Sequence, residues 1–349
     1  MAETTVQHRE QAASDDVKTR STLHKLLLRP EFGSLLGAIA IFIFFLFIAD
    51  PFRGANSQLT VLYASSTIGI MAVGVALLMI GGEFDISAGV AVTTSSLTAS
   101  MLAYELSANV WVGIFAALLL ALFIGFINGY IMIKTGIPSF LVTLGTFLML
   151  QGINLGVTNV VTGQVASPSI SNMEGFATAE LIFASELDVG GVSIELTVFW
   201  WILFVAMATW VLLRTKVGNW IYAVGGDAES ARAVGVPVAM TKIGLFMTVG
   251  FCSWFSGMHL LFSFNTVQSG SGLGNELIYI SAAVIGGCLL TGGYGTAVGA
   301  AIGALVYGMA SQGIVLAGWD PSWVQFFLGA MLLLATVLNT WVRNQTQRR

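Results

Sequence analysis

Ten stretches of roughly 20 apolar residues recur along the chain, the length a helix needs to cross a hydrocarbon core of about 30 Å. They run approximately from Gly33 to Ala49, Leu59 to Ile80, Ile86 to Leu106, Val110 to Ile133 and Ile137 to Val160, then from Ile194 to Leu213, Ile243 to Phe264, Leu277 to Leu290, Ala297 to Ala317 and Trp323 to Val342. With 56% hydrophobic and 9% charged residues, too few polar groups remain to coat a globule in water. The 40 glycines suit helices that approach closely in lipid, where small residues let backbones meet. The expected fold is all-α, a polytopic membrane protein with about ten transmembrane helices.

Orientation follows from Lys and Arg, which cytoplasmic flanks retain. With ten crossings and both termini cytoplasmic, 13 of the 14 basic residues fall inside and only Arg53 outside. The segment 162–193 then lies outside, carrying Glu174, Glu180, Glu186 and Asp188 but no basic residue. Residues 1–30 are polar, lack a convincing small-residue cleavage site and read as a disordered cytoplasmic tail. Residues 31–343 form the transmembrane domain on this reading, and 344–349 a short cytoplasmic tail.

A net charge of −4 without a long basic stretch gives nucleic acid no electrostatic footprint. Cys252 and Cys288 lie in apolar runs, and His8, His24 and His259 have no zinc-ligand spacing, so neither a disulfide nor a metal site is expected.

Two spans are irregular. The one from Ile86 to Leu106 carries Thr93, Thr94, Ser95, Ser96, Thr98 and Ser100, and the one from Leu277 to Leu290 is short and flanked by glycines. Such interrupted segments in corresponding halves of a chain point to a transport site. EFDISA at Glu83 to Ala88 corresponds faintly to ELIYISA at Glu276 to Ala282, a match short enough to arise by chance. The topology places the first at the inner face and the second at the outer, as in an inverted repeat.

Within GGEFDISAG, Gly81 to Gly89, the carboxylates of Glu83 and Asp85 have two readings. They turn a substrate hydroxyl or fix a gate, or they cap a helix beginning at Ile86, with Ser87 as a further cap; capping and hinge geometry is the preferred reading. Asn128, Thr143, Thr146, Gln151, Asn154 and Asn265 either join helices by hydrogen bonds or line a path suited to a neutral polyhydroxylated solute. Candidate path or gate residues are therefore Glu83, Asp85, Ser87, Asn128, Gln151, Asn154, Asn265 and Glu276. His259, the ionisable group well inside a span, is a hydrogen-bonded packing residue or, less favoured, a proton relay.

The longest cytoplasmic loop, 215–242, contains helix punctuation: Asp227 as N-cap, helix formers from Ala228 to Val234, Gly235 as C-cap and Pro237 beyond. A helix of about two turns results, too short to persist alone in water. Its apolar face is only alanines and Val234, which favours docking on a cytosolic partner over resting on lipid headgroups. None of the five lysines completes a GxxxxGK[ST] motif, so this chain holds no P-loop for ATP.

GGEFDISAG resembles the GGIDLSVG element of the ribose-type sugar permeases of bacterial ABC importers. GIPSFLVTLGTFLMLQG (Gly136 to Gly152), GNWIYAVGGDAESARAVGVPVAMTKI (Gly218 to Ile243) and GGCLLTGGYGTAVGAAIGALVYG (Gly286 to Gly308) are similar to that family's other blocks, in the family's order. The resemblance implies an inner-membrane permease subunit that dimerises, most simply with a second copy, and passes a monosaccharide or related polyol by alternating access. It implies an external solute-binding protein, and ATPase subunits docked on Asp227, Ala228, Glu229, Ser230, Ala231, Arg232, Ala233, Val234 and Gly235, with ATP and Mg on those partners and no cofactor on this chain. The chain departs from the family in carrying Glu83 and Phe84 where one apolar residue is usual, and Asp227 where asparagine is common. The rival expectation is an ion-coupled secondary transporter using Glu83, Asp85 or Glu276.

Overall fold

The computed structural model describes residues 30–347 except 107, 108 and 189, so the tail expected at residues 1–30 lies, but for Pro30, outside the described residues. In chain order the helices are α1 (Pro30–Ile48), α2 (Ala55–Ile80), α3 (Ala88–Glu105), α4 (Val110–Thr135), α5 (Ser139–Thr162), α6 (Phe176–Phe183) and α7 (Leu196–Arg214). There follow α8 (Lys216–Gly226), α9 (Ala228–Ala233), α10 (Val238–Phe264), α11 (Asn275–Ile285), α12 (Ala297–Leu316) and α13 (Trp323–Gln347). Strands β1 (Glu186–Asp188) and β2 (Ser193–Glu195) form one small antiparallel hairpin before α7.

Among the described residues, seven helices are long and apolar enough to cross a membrane: α1, α2, α4, α5, α7, α10 and α12. Two expected spans depart from that length or hydropathy. Helix α3 starts at Ala88 rather than Ile86, and its six hydroxyl side chains lower its hydropathy. The span expected from Leu277 to Leu290 is instead the 11-residue α11, which ends where Gly286 and Gly287 turn the chain. At 1.5 Å per residue it covers only about half of the hydrocarbon core. Helix α13 covers the tenth expected span, Trp323 to Val342, and continues through Gln347.

Helix α2 is apolar all round and occupies the centre, with α7, α10, α11 and α12 packed about it. Lipid supplies no hydrophobic force between helices, so close backbone approach takes over. A methyl group on Gly303 of α12 would lie 1.9 Å from the Ala282 carbonyl of α11, and one on Gly250 of α10 would lie 2.4 Å from the Ala121 carbonyl of α4. The outer faces are apolar instead of polar: Phe47, Val160, Trp210 and Leu213 are exposed. Backbone polar groups are satisfied within the helices, as a hydrocarbon solvent demands.

At one end of the bundle the turn after α1 pairs Arg53 with Asp50 at 3.1 Å, which gives the one basic residue on the acidic side a local partner. At the same end, α6 packs on α10 and the hairpin aligns Glu186 opposite Glu195. Burial raises the Glu195 carboxyl above the usual range, and the Glu186 charge adds to the effect.

Candidate translocation and coupling site

The break between α2 and α3 begins with a helix ending in Ile80–Gly81–Gly82. Gly82 takes φ 83°, and the Glu83 amide turns back to the Leu78 carbonyl at 3.2 Å. Residues 83–85 then leave the helix beside α5, and Ile86 and Ser87 turn the chain into α3, Ser87 already having helical dihedrals. The Phe84 amide donates to Ser139 Oγ and the Ile86 amide to Thr143 Oγ1, both at 3.1 Å. Asp85, 3% exposed, accepts the Ser87 amide at 2.8 Å and the Ser87 hydroxyl at 2.5 Å. Asn128 of α4 donates to Ser87 Oγ at 3.1 Å and accepts Thr146 Oγ1 of α5 at 2.6 Å. Ser87 is thus not the side-chain cap expected for α3; its hydroxyl serves Asp85 instead.

Higher on α5, Asn154 accepts Thr94 Oγ1 at 3.0 Å and reaches the Val90 carbonyl at 3.4 Å. Ser139, Thr143, Thr146, Leu150, Asn154 and Thr158 form the buried stripe of α5, facing α3 and α4, while Gln151 is half-buried beside it. Glu83 leaves this network and pairs with Lys242 of α10. That partner was invisible in the sequence, where Lys242 counted only toward orientation.

Asn265 closes α10 in the left-handed conformation at φ 61°, and its backbone carbonyl accepts the Ile170 amide at 3.3 Å. His259 Nδ1 donates to the Phe183 carbonyl at 2.7 Å and lies 2.9 Å from Thr197 Oγ1, while Nε2 lies 3.2 Å from Tyr63 Oη, as its packing reading anticipates. Glu276, 6% exposed, lies in the first turn of α11 and abuts Gly89 in the first turn of α3. The two matching texts therefore do not lie at opposite faces as expected. Their helices start toward each other inside the bundle, with the Ala88 carbonyl of α3 at 3.4 Å from Ser253 Oγ, midway along α10.

A second correspondence is structural. Ile285–Gly286–Gly287 ends α11 as Ile80–Gly81–Gly82 ends α2, with Gly287 at φ 93° and the Cys288 amide on the Ala283 carbonyl at 3.0 Å. The end of α2 and the segment after α11 both meet the loop 215–242, which holds not one helix but two before α10 begins. Thr215 caps α8 through the Gly218 amide, a threonine-to-glycine signal present in the sequence and missed there. Gly225 of α8 lies against the Ile80 carbonyl, whose oxygen accepts the Gly293 amide at 2.8 Å. Gly292 lies against Gly82, and Tyr222 donates to the Gly295 carbonyl at 2.9 Å.

Asp227 caps α9 as expected, accepting the Ser230 amide at 2.6 Å, and this bond holds its carboxyl below the usual carboxylate range. Helix α9 is one and a half turns, shorter than expected, and ends with Gly235 at φ 87°. Ala231 is buried toward the protein, while Glu229, Ser230, Arg232, Ala233 and Val234 are exposed.

A central apolar helix bundle, two helices broken inside it, and a short capped helix pair touching both breaks define a membrane transport subunit. Residues 57–336 match the family described as branched-chain amino acid transport system / permease component, and the chain belongs to that family. It is a multi-pass membrane permease, and transport rather than catalysis is its business. The ribose import permease protein of Escherichia coli (strain K12) is 30% identical over 87% of this chain and 92% of its own length. The xylose transport system permease protein of the same strain is 28% identical over 91% and 92%, and the fructose import permease protein of Rhizobium meliloti 26% over 87% and 83%. No solved structure matches the chain.

Proposed function

We propose that the chain is the inner-membrane permease subunit of a bacterial ABC importer and passes a monosaccharide or related polyol by alternating access. The family description names branched-chain amino acids, whereas the relatives above are named for ribose, xylose and fructose. The buried groups on and beside α5, Ser139, Thr143, Thr146, Asn128 and Asn154, are neutral donors and acceptors, the chemistry suited to hydroxyls. The relatives' names and this chemistry favour the importer over ion coupling. In this reading the chain crosses ten times with both termini cytoplasmic, α13 making the last crossing and α3 and α11 those that their length or hydropathy leaves open.

The observation that carries the mechanism is the contact of Gly225 with Ile80 and Gly293. Residues Asp227 to Gly235 dock an ATPase subunit, which binds the ATP and Mg; a movement of α9 passes through α8 to the ends of α2 and α11 together. Glu83, Asp85, Ser87 and Asn128 hold the α2–α3 break in register, and Gln151, Asn154, Asn265 and Glu276 belong to the path or its gate.

A second copy covers the open face of α5, where a methyl group on Gly145, Gly152 or Gly156 would meet nothing within 4 Å and exposed Leu148 and Met149 flank the three glycines. An external solute-binding protein delivers the sugar. Co-purification in mild detergent followed by mass spectrometry tests this assembly: a P-loop ATPase and a secreted binding protein are expected. Sugar uptake by the chain alone in liposomes lacking ATP overturns it.

A further inference from the structure

We propose that Glu276 and Thr93 form a subsite for hydroxyl groups of the permeating polyol, at the point where the α11 N-terminus meets the first turns of α3. This deepens the sugar-import reading and rests on it. Three observations lead there.

Both side chains are buried, Glu276 at 6% and Thr93 at 1% exposure, and Glu276 Oε2 and Thr93 Oγ1 have no hydrogen-bond partner among the described residues. The other carboxyl oxygen, Oε1, accepts the Gly274 amide at 3.2 Å. Buried polar atoms are ordinarily paired, so two orphans at one junction mark groups that another state of the molecule satisfies.

The two orphans share one seam. A methyl group on Gly89 would lie 2.5 Å from Glu276 Oε2, and one on Gly272 would lie 2.5 Å from Thr93 Oγ1 and 2.2 Å from the Gly89 carbonyl oxygen. Glycine at both positions lets the seam close backbone to backbone. Paired discontinuous helices of this kind carry the substrate site in other transport proteins.

The chemistry selects the ligand. A carboxylate oxygen accepts, a threonine hydroxyl donates or accepts, and among the described residues no group of three His, Cys, Asp or Glu side chains is placed to hold a metal ion. A neutral solute rich in O–H donors fits; an anion does not. Access is governed from the far end of α11, where Gly286 and Gly287 lead to Gly292 and Gly293 against α8. Movement of the cytoplasmic helices draws this 11-residue rod away from Gly89 and uncovers both orphans.

The test is uptake by the full chain reconstituted with its ATPase and binding protein, using D-ribose, D-xylose and D-fructose and their monodeoxy analogues. Glu276→Gln is expected to raise KM at least tenfold for a transported sugar and to abolish discrimination against one deoxy analogue, which a merely structural role does not do. Thr93→Val is expected to raise KM and Thr93→Ser to restore it, and this pair decides the matter where Glu276→Gln does not fold. Wild-type KM and discrimination in Glu276→Gln and Thr93→Val, with uptake intact, overturn the subsite and leave the importer standing. A wild type that takes up none of these sugars overturns the polyol reading and the subsite with it.

Discussion

Gly225 of α8 and Ile80 of α2 touch backbone to backbone: a methyl group on Gly225 would lie 1.7 Å from the Ile80 carbonyl oxygen. The same oxygen accepts the Gly293 amide at 2.8 Å, so one atom joins the α8–α9 pair to the end of α2 and to the segment that follows α11. A side chain here must force the three segments apart. Gly225→Ala is expected to lower sugar uptake at least tenfold while ATP hydrolysis continues, because the drive no longer reaches the breaks. Gly226→Ala, with nothing within 4 Å, serves as the control and should transport normally. Uptake and ATPase rates measured on the same proteoliposomes check the pair.

Removing one partner of the largely buried Glu83–Lys242 pair leaves the other charge unpaired, at a cost of about 3–5 kcal/mol. Glu83→Gln should therefore lower the thermal unfolding midpoint in detergent more than the double change Glu83→Gln with Lys242→Met. Equal losses in the single and double variants would show that the pair has no such coupling.

Asn128 both donates to Ser87 and accepts from Thr146, and is fully buried. Asn128→Leu removes both of these bonds, leaving Ser87 only Asp85 and Thr146 only the Val142 carbonyl, and should cost roughly 1–3 kcal/mol of stability. Asn128→Asp keeps an acceptor for Thr146 but loses the donor to Ser87, and places a charge beside Asp85. Thermal melts should rank wild type above both variants.

The Asp227 cap has a defined pH sense. Its folded carboxyl titrates below the ordinary value, so the stabilisation of α9 is complete above the unfolded-state value and is lost as pH falls through the folded-state one. Coupling should accordingly be insensitive to this group from about pH 5 to 8. Asp227→Asn retains a capping oxygen and should keep sugar-stimulated ATPase activity; Asp227→Ala should lose most of it.

The open glycine face of α5 gives a prediction about assembly. A Cβ on Gly152 would meet nothing within 4 Å among the described residues, so the Gly152→Leu subunit should fold and insert normally. It should shift the protein from dimer to monomer in size-exclusion chromatography with light scattering. A dimer of unchanged mass would move the interface elsewhere.

Helical class, the long spans and the α9 cap could be read from the chain because each depends on neighbours in sequence. Hydropathy over 20 residues and the Asp227 cap three residues from the amide it binds are local quantities. The helix α8 was overlooked although it too is local, since the loop was read only for its strongest cap, Asp227. What only the tertiary structure decided is which helix faces meet. Glu83 finds Lys242 159 residues away, Glu276 comes to rest on Gly89, and the asparagines expected on a path or between helices turn inward to Ser87 and Thr94. In an apolar chain nearly every face is hydrophobic, so periodicity does not say which one is buried. The choice falls instead to glycine contacts and paired polar groups, which become visible only once the helices are side by side.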